Sequence, residues 1–200
     1  MDYQTHLSKD KRLRTLIAEI ELEELEPKKN IFIALVSAIA SQQLNTKVAA
    51  IIFARFIALY NNKVPKPETI QATPDEALRG IGFSYQKIKY IKAIAQFATK
   101  NKMSYAYINK MTDAEIIAYF TQITGVGVWT VEMLLIFTLT RPNVFSLGDY
   151  GLQMGAKHLY NLDNSHKKTF LAELNIISEK WQPYRSYAAR YLWRYKDVVV

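Results

Sequence analysis

A glycine turn, a mostly apolar segment and a single carboxylate follow one another in the second half of the chain, and this order constrains the fold more than any other feature. The turn runs from Gly125 to Gly127, the apolar segment covers residues 128–139, and the carboxylate is Asp149. Residues 113–122, before the turn, have apolar side chains at helical spacing, and the segment after it has the length of a helix. The stretch therefore predicts two helices joined by a glycine hairpin.

The hairpin has two interpretations. Thr112 and Glu115 form a capping-box pattern at the start of the first helix. Gly125 and Gly127 each permit a positive φ and a close approach of the backbone. The first N–H groups of a helix that begins at Val128 lack partners within that helix, and a helix N-terminus behind a glycine turn suits a phosphate group. An ordinary corner between two helices, with glycine at a C-cap, explains the same residues, so both interpretations stay open.

Composition narrows the class of partner. The 200 residues suit one domain, or one domain of two lobes, and a formal net charge of +8 favours a polyanion, with nucleic acid ahead of an anionic membrane. The absence of cysteine excludes disulfides, a cysteine nucleophile and a cysteine-ligated iron–sulfur cluster. No signal peptide or membrane-spanning run is visible, so we expect a cytoplasmic protein, associated with the nucleoid if bacterial, and no membrane partner.

The rest of the chain has the pattern of a series of helices. Asp149 is expected at the N-cap of one of them, where the positive end of the helix dipole favours an ionised carboxylate. The helix at 84–100 carries four lysines, among them Lys87 and Lys92, which form either a solvated face or a rim that faces phosphate groups. Apolar spacing places helices at residues 8–25, 31–40, 46–60, 84–100, 150–160, 166–180 and 184–195.

A second unusual stretch, Ser41-Gln42-Gln43-Leu44, follows the buried helix at 31–40. Its polar residues are explained by the end of that helix, with Asn45 as the N-cap of the next one. A role outside the fold explains them equally well, and the residues alone do not decide between the two.

Four segments together resemble a known family. They are residues 41–44, 123–132, 141–151 and 181–188, which read SQQL, ITGVGVWTVE, RPNVFSLGDYG and WQPYRSYA. In this order they resemble the signature of the helix-hairpin-helix DNA glycosylase superfamily, and within it the 3-methyladenine DNA glycosylase II, or alkylpurine, branch. The resemblance covers roughly residues 30–195.

The resemblance implies a fold and an activity. The fold is all-α, with about ten helices in two lobes and a cleft between them, in one glycosylase domain over residues 1–200 whose helix-hairpin-helix covers about 113–139. The activity is that of a base-excision repair hydrolase. It removes alkylated purines (3-methyladenine, 7-methylguanine) that are flipped out of damaged double-stranded DNA, and it leaves an abasic site. Such a protein is expected to act as a monomer.

The resemblance also assigns roles to individual residues. Asp149 is the implied catalytic carboxylate, and Leu44 is the implied side chain that fills the gap left by the extruded base. Bifunctional relatives carry a lysine at the position of Trp129, so the resemblance implies a monofunctional enzyme without lyase activity. The implied base pocket comprises Trp129, Met133 and Trp193. The implied DNA-binding residues are Gln42, Gln43, Leu44, Gly125, Val126 and Gly127.

No cofactor is expected to be required. The resemblance allows a structural Na⁺ or K⁺ at the hairpin, bound by the backbone carbonyls of Thr121, Ile123 and Val126. Two other classes of function remain compatible with the residues. One is a non-catalytic helix-hairpin-helix DNA-binding protein, and the other is a basic, all-α protein-interaction module.

Overall fold

The computed structural model describes residues 2–199, apart from the side chains of Thr46 and Val199. Over that range the chain forms thirteen helices and no strand, and its one β-pairing is an isolated antiparallel bridge between Asn30 and Ser104. The predicted all-α class is confirmed. The prediction of about ten helices is too low, because several of the helices are too short to show apolar periodicity.

The chain folds into two compact units. The terminal unit contains both ends of the chain, residues 2–26 and 140–199 among those described, and the central unit contains residues 27–139. The helices of the terminal unit are α1 (Tyr3–Leu7), α2 (Lys11–Glu19), α11 (Tyr150–Tyr160), α12 (Lys167–Glu179) and α13 (Arg185–Val199). The helices of the central unit are α3 (Ile31–Ser41), α4 (Thr46–Ala58), α5 (Pro67–Ala72), α6 (Asp75–Gly80), α7 (Tyr85–Lys100), α8 (Tyr105–Ile108), α9 (Asp113–Phe120) and α10 (Val128–Phe137).

The N-terminal region differs most from its prediction. One helix is expected over 8–25, but the structure has α1 and α2 and an irregular segment after Glu19. Asp10 starts α2, because its Oδ1 atom accepts the N–H groups of Arg12 and Leu13. Several glutamates lie between Glu19 and Glu26, and carboxylates are unfavourable at the negative end of a helix dipole. This charge run is a physical reason for the early end of α2.

The central unit is organised around α3. Its residues are apolar on every face, as the sequence predicts for a buried helix, and Leu35, Val36 and Ile39 are fully buried. Helices α4, α7 and α10 pack against it. Helices α9 and α10 form the predicted hairpin, and the capping box of Thr112 and Glu115 is present at the start of α9.

The terminal unit is built on the packing of α11 against α13. Gly155 of α11 lies so close to α13 that an added Cβ would be 2.6 Å from the Leu192 carbonyl oxygen. Fully buried aromatic and aliphatic side chains, among them Trp181, Tyr191 and Leu152, fill the core around these two helices.

A single carboxylate, Asp10, joins three parts of the terminal unit. Its Oδ1 atom caps α2, and its Oδ2 atom accepts the Tyr160 hydroxyl at 2.7 Å and the Trp181 indole N–H at 3.2 Å. Burial, and then the hydrogen bond to Asp10, raises the pKa of Tyr160, which therefore stays a neutral donor. Asp10 thus links the start of α2, the end of α11 and the turn before α13.

We predict that Asp10→Ala lowers the free energy of unfolding by about 2–4 kcal/mol, because the α2 cap is lost and two buried donors lose their acceptor. Urea unfolding followed by tryptophan fluorescence measures the change. Asp2→Ala is the matched control, since Asp2 caps the short α1 through one bond at 3.3 Å to an exposed site. An equal loss in both variants would contradict the linking role of Asp10.

Candidate functional site

Asp149 lies at the N-terminus of α11, as the sequence predicts. Its side chain is the N-cap: Oδ1 accepts the Leu152 N–H at 2.8 Å, and the residue is 9% exposed. The carboxylate thus lies at the positive end of the α11 dipole. Capping and a chemical role are therefore compatible at the same oxygen.

The indole of Trp193 contacts the same carboxylate. Its Nε1–H donates to Asp149 Oδ1 at 2.8 Å. Gly151 makes room for this contact, since a Cβ there would lie 3.0 Å from Trp193 Cδ1 and 3.1 Å from Asp149 Oδ1. The resemblance to the family implied only a place for the Trp193 ring in the base pocket. The hydrogen bond comes from the packing of α11 on α13, which residue spacing does not show.

The segment that leads to Asp149 is held by the start of α13. The Ser186 hydroxyl donates to the Arg141 carbonyl at 2.6 Å and accepts the Val144 N–H at 2.9 Å. Arg185 donates to the Asn143 side-chain oxygen at 2.9 Å and to its carbonyl at 3.1 Å. Arg185 and Ser186 belong to the WQPYRSYA segment, and these bonds give that segment a structural role that its sequence does not indicate.

The hairpin turn depends on Gly125. Its φ is +89°, and a Cβ there would lie 2.1 Å from Cγ of the Tyr90 ring on α7. The Val126 N–H closes the turn on the Ile123 carbonyl at 3.0 Å. Both the positive φ and the close packing predicted for Gly125 are therefore present.

The positive φ that glycine permits is present at Gly125 but is not used at Gly127. Gly127 is the N-cap of α10 with φ −91° and ψ 171°, and an added Cβ would meet nothing within 4 Å. It also makes no side-chain capping bond, because glycine has none to offer. No side chain at position 127 therefore covers the start of α10, where the first N–H groups have no intrahelical partner.

The carbonyls predicted to bind a monovalent cation come from this same turn. Thr121 is the C-cap of α9, and Ile123 and Val126 are buried. The Ile123 carbonyl accepts one N–H and retains a second lone pair, so the turn is compatible with such an ion. Within residues 2–199, no group of three or more His, Asp or Glu side chains could hold a metal ion.

The 41–44 segment lies between α3 and α4. The Gln42 amide donates to Thr130 Oγ1 in the first turn of α10 at 3.2 Å. Gln43 is exposed with φ +59°, and Leu44 is half-buried. The capping role of Asn45 is also real, because its Oδ1 accepts the Val48 N–H at 2.9 Å.

The remaining predicted residues lie on α10. Trp129 is 42% exposed in its first turn, and Met133, four residues later on the same face, is half-buried. The structure brings Trp129 and Met133 together in the central unit, and Asp149 and Trp193 together in the terminal unit. That all four line one pocket stays a prediction.

A family model described as the HhH-GPD superfamily base excision DNA repair protein matches residues 36–181. The chain belongs to this superfamily. It is 37% identical over 186 residues to the DNA-3-methyladenine glycosylase 1 of Schizosaccharomyces pombe, which is 92% of this chain and 80% of that protein. It is 33% identical over 171 residues to the putative DNA-3-methyladenine glycosylase YfjP of Bacillus subtilis, which is 82% of this chain but only 58% of that one.

Solved structures of the superfamily have the same fold. The Schizosaccharomyces pombe 3-methyladenine DNA glycosylase in complex with abasic DNA matches with a TM-score of 0.86 and 34% identity, over 97% of this chain and 96% of that one. A DNA-3-methyladenine glycosidase from Bacillus halodurans matches with a TM-score of 0.80 and 35% identity, over 96% and 88%. The resemblance inferred from the four sequence segments is confirmed.

We predict that the two hairpin glycines differ in their tolerance of alanine. Gly125→Ala lowers the free energy of unfolding by about 2–5 kcal/mol, because it combines a left-handed φ with overlap on Tyr90. Gly127→Ala lowers it by no more than about 1.5 kcal/mol, the effect of a poorer N-cap in open space. Thermal and urea melts of the pair measure this difference. Equal losses would show that the Tyr90 contact does not constrain the turn.

Proposed function

We propose that this protein is a monofunctional base-excision DNA glycosylase that hydrolyses the N-glycosidic bond of alkylated purines such as 3-methyladenine and 7-methylguanine. The observation that carries the proposal is the carboxylate of Asp149, held at a helix N-terminus by an indole N–H in a chain of this superfamily. The names of the relatives and the abasic DNA bound to one of them support the substrate class. The two units together would form the single glycosylase domain.

The substrate chemistry fits one carboxylate. Water attacks sugar C1′ and loses a proton, while the bond from C1′ to the base nitrogen breaks and its electrons leave with the base. The transition state resembles an oxocarbenium ion, as in glycoside hydrolysis. An alkylated purine carries a positive charge and departs as a neutral base, so it needs little help from an acid. What the protein supplies is an anion beside the cationic sugar and a position for water.

Asp149 is suited to both tasks. Oδ1 is fixed by the Leu152 N–H and the Trp193 indole, so the carboxylate is oriented before any substrate arrives. Preorganised charges of this kind are usually the largest electrostatic contribution to a rate enhancement. Trp193 thus has two proposed roles: it orients the carboxylate through its N–H, and its ring forms a wall of the base pocket.

The base pocket is proposed to comprise Trp129, Met133 and Trp193. Electron-rich rings favour a cationic base by about 0.5–2 kcal/mol through cation–π contact. Met133 adds a polarizable side chain that adapts to bases of different shape.

The DNA-binding residues are proposed to act in two segments. Main-chain N–H groups at Gly125, Val126 and Gly127 would bind a phosphate, aided by the α10 dipole. Gln42, Gln43 and Leu44 would enter the duplex where the base has left, and Leu44 would refill the stack. The partner is then double-stranded DNA with damaged bases.

Trp129 supports the absence of lyase activity. An indole cannot form the Schiff base through which a lysine at this position cleaves the strand.

No cofactor is required by this chemistry, and the carbonyls of Thr121, Ile123 and Val126 are candidate ligands for a structural Na⁺ or K⁺. We propose that the protein acts as a monomer in the compartment that holds the chromosome, the cytoplasmic nucleoid in a bacterial cell. None of the helices in residues 2–199 is long and apolar enough to span a membrane.

We predict that Asp149→Asn slows excision of 7-methylguanine by roughly 100- to 1000-fold, since about 2.7–4 kcal/mol of transition-state stabilisation is lost. The amide oxygen still accepts the Leu152 and Trp193 N–H groups, so the fold is retained. Single-turnover base release and thermal melts measure the two properties.

The matched control is Asp163→Asn, which removes an exposed carboxylate from the loop after α11 and leaves the rate unchanged. The wild-type product should resist strand cleavage until alkali or heat is applied. If Asp149→Asn excises at the wild-type rate, a non-catalytic helix-hairpin-helix DNA-binding protein becomes the better description.

We predict that Trp193→Phe slows excision of 7-methylguanine and of hypoxanthine by the same factor, roughly tenfold or more, because the carboxylate loses a charge-assisted hydrogen bond. Trp193→Ala adds a further loss on the cationic base alone, from the cation–π contact. Trp181→Phe is the matched control, since it removes an indole N–H from Asp10 instead and affects stability only. If Trp193→Phe excises both bases at the wild-type rate, the indole N–H has no role in catalysis and Trp193 acts only through its ring.

We predict that the affinity for duplex DNA falls steeply with salt. If about five phosphates are neutralised, log K against log salt has a slope of roughly −4 to −5. Fluorescence anisotropy with an undamaged duplex measures it between 50 and 200 mM salt, the range over which such contacts typically weaken. A slope near zero would exclude phosphate contacts as the source of binding.

A further inference from the structure

The C-terminal end of α3 is bonded by a lysine side chain from another helix. Lys87, on α7, donates from Nζ to the carbonyl of Ala40 at 2.8 Å. Ala40 is in the last turn of α3, immediately before the 41–44 segment. Burial lowers the pKa of Lys87, so the ammonium is held there at some expense in solvation. A lysine at a helix C-terminus satisfies a carbonyl that lacks an intrahelical partner and faces the negative end of the dipole.

The position of Lys87 differs from both environments that the sequence predicts for the α7 lysines. The lysines of α7 were expected to form a solvated face or a rim facing phosphates. Lys87 does neither, because its ammonium bonds to the main chain of α3, and Lys92 pairs with Asp75. The bond from Lys87 therefore acts within the central unit.

A second bond holds the other side of the segment. Gln42 is the C-cap of α3, and its amide donates to Thr130 Oγ1 at 3.2 Å. Thr130 is 2% exposed and lies in the first turn of α10, just after the glycine hairpin. The segment is thus tied to α7 through Ala40 and to α10 through Gln42.

The backbone between these ties is in a conformation that needs support. Gln43 has φ +59°, a left-handed conformation that is unfavourable for a residue with a side chain. The turn is closed by the Leu44 N–H, which donates to the Ser41 carbonyl at 3.2 Å. Conformations of this kind persist when the surrounding structure fixes them.

We propose that Lys87 and Thr130 are positioning residues for the 41–44 segment. They hold its backbone so that Leu44 is presented to the gap left by an extruded nucleotide, although neither residue touches the reacting atoms. This rests on the proposed function, in which Leu44 fills that gap. It adds that base extrusion depends on a half-buried lysine of α7 and on a threonine beside the hairpin.

The test combines variants with two substrates. Lys87→Met keeps the alkyl stem and removes the donor, Lys87→Arg keeps a donor, and Thr130→Val removes the acceptor at nearly constant shape. One duplex has 7-methylguanine opposite cytosine, and the other has it opposite a missing base, where extrusion is easier. Single-turnover base release is measured on both, with thermal melts alongside. Lys63→Met is the charge-matched control, since Lys63 is exposed in the turn after α4.

Lys87→Met is expected to slow release from the fully paired duplex roughly tenfold, and Thr130→Val by a few fold, with much smaller effects on the duplex that lacks the opposite base. Lys87→Arg recovers part of the rate. In a Leu44→Ala background, Lys87→Met adds less than about twofold, because the two changes act on the same step. The salt dependence of binding changes no more for Lys87→Met than for Lys63→Met.

Three results for Lys87→Met overturn the proposal: a wild-type rate on both duplexes, equal losses on both duplexes, or full additivity with Leu44→Ala. Thr130→Val keeps the test decisive if Lys87→Met melts at a lower temperature, since a wild-type rate for Thr130→Val on the paired duplex also overturns it. Failure of the proposed function is a different result, namely no base release by the wild-type protein from either duplex.

Discussion

The contact between α11 and α13 is the constraint on which the terminal unit depends. Gly155 meets the Leu192 carbonyl at a distance that leaves no room for a Cβ, and Gly151 meets the Trp193 ring where a Cβ would be crowded. These two glycines, one helical turn apart, let the helices approach until the indole reaches Asp149. The position of the carboxylate is therefore a result of helix packing as well as of its own capping bond.

The same helix, α13, also holds the chain that precedes the carboxylate. Arg185 and Ser186 bond to the backbone and side chain of residues 141–144, and the turn before them is joined to α2 through Trp181 and Asp10. Irregular chain near a functional group is usually its most mobile part. Here that chain is held by hydrogen bonds to a helix, which fixes the position of Asp149.

Local signals made part of this predictable from the sequence. The helix at 150–160 was predicted to its observed ends, because apolar spacing and an N-cap carboxylate coincide there. The hairpin was predicted for similar reasons, and Gly125 has the positive φ expected of it.

Contacts between distant segments were not predictable. The bond from Trp193 to Asp149 and the bond from Lys87 to Ala40 each join residues more than forty positions apart, and nothing in their spacing indicates them. The sequence also does not distinguish Gly127, which has an ordinary φ and open space around it, from Gly125, whose φ is positive.

The main-chain N–H groups at the start of α10 have a consequence for the recognition of damaged bases. Main-chain N–H groups bind phosphates alike at every base pair, so contacts of this kind carry no information about sequence or damage. Under the proposed function, the contacts of the hairpin N–H groups hold intact and damaged duplex with similar strength. Recognition then falls on how often a nucleotide leaves the stack and on what happens to it beside Asp149. A weakened base pair is found because it opens readily, and selectivity is expressed in rates more than in affinity.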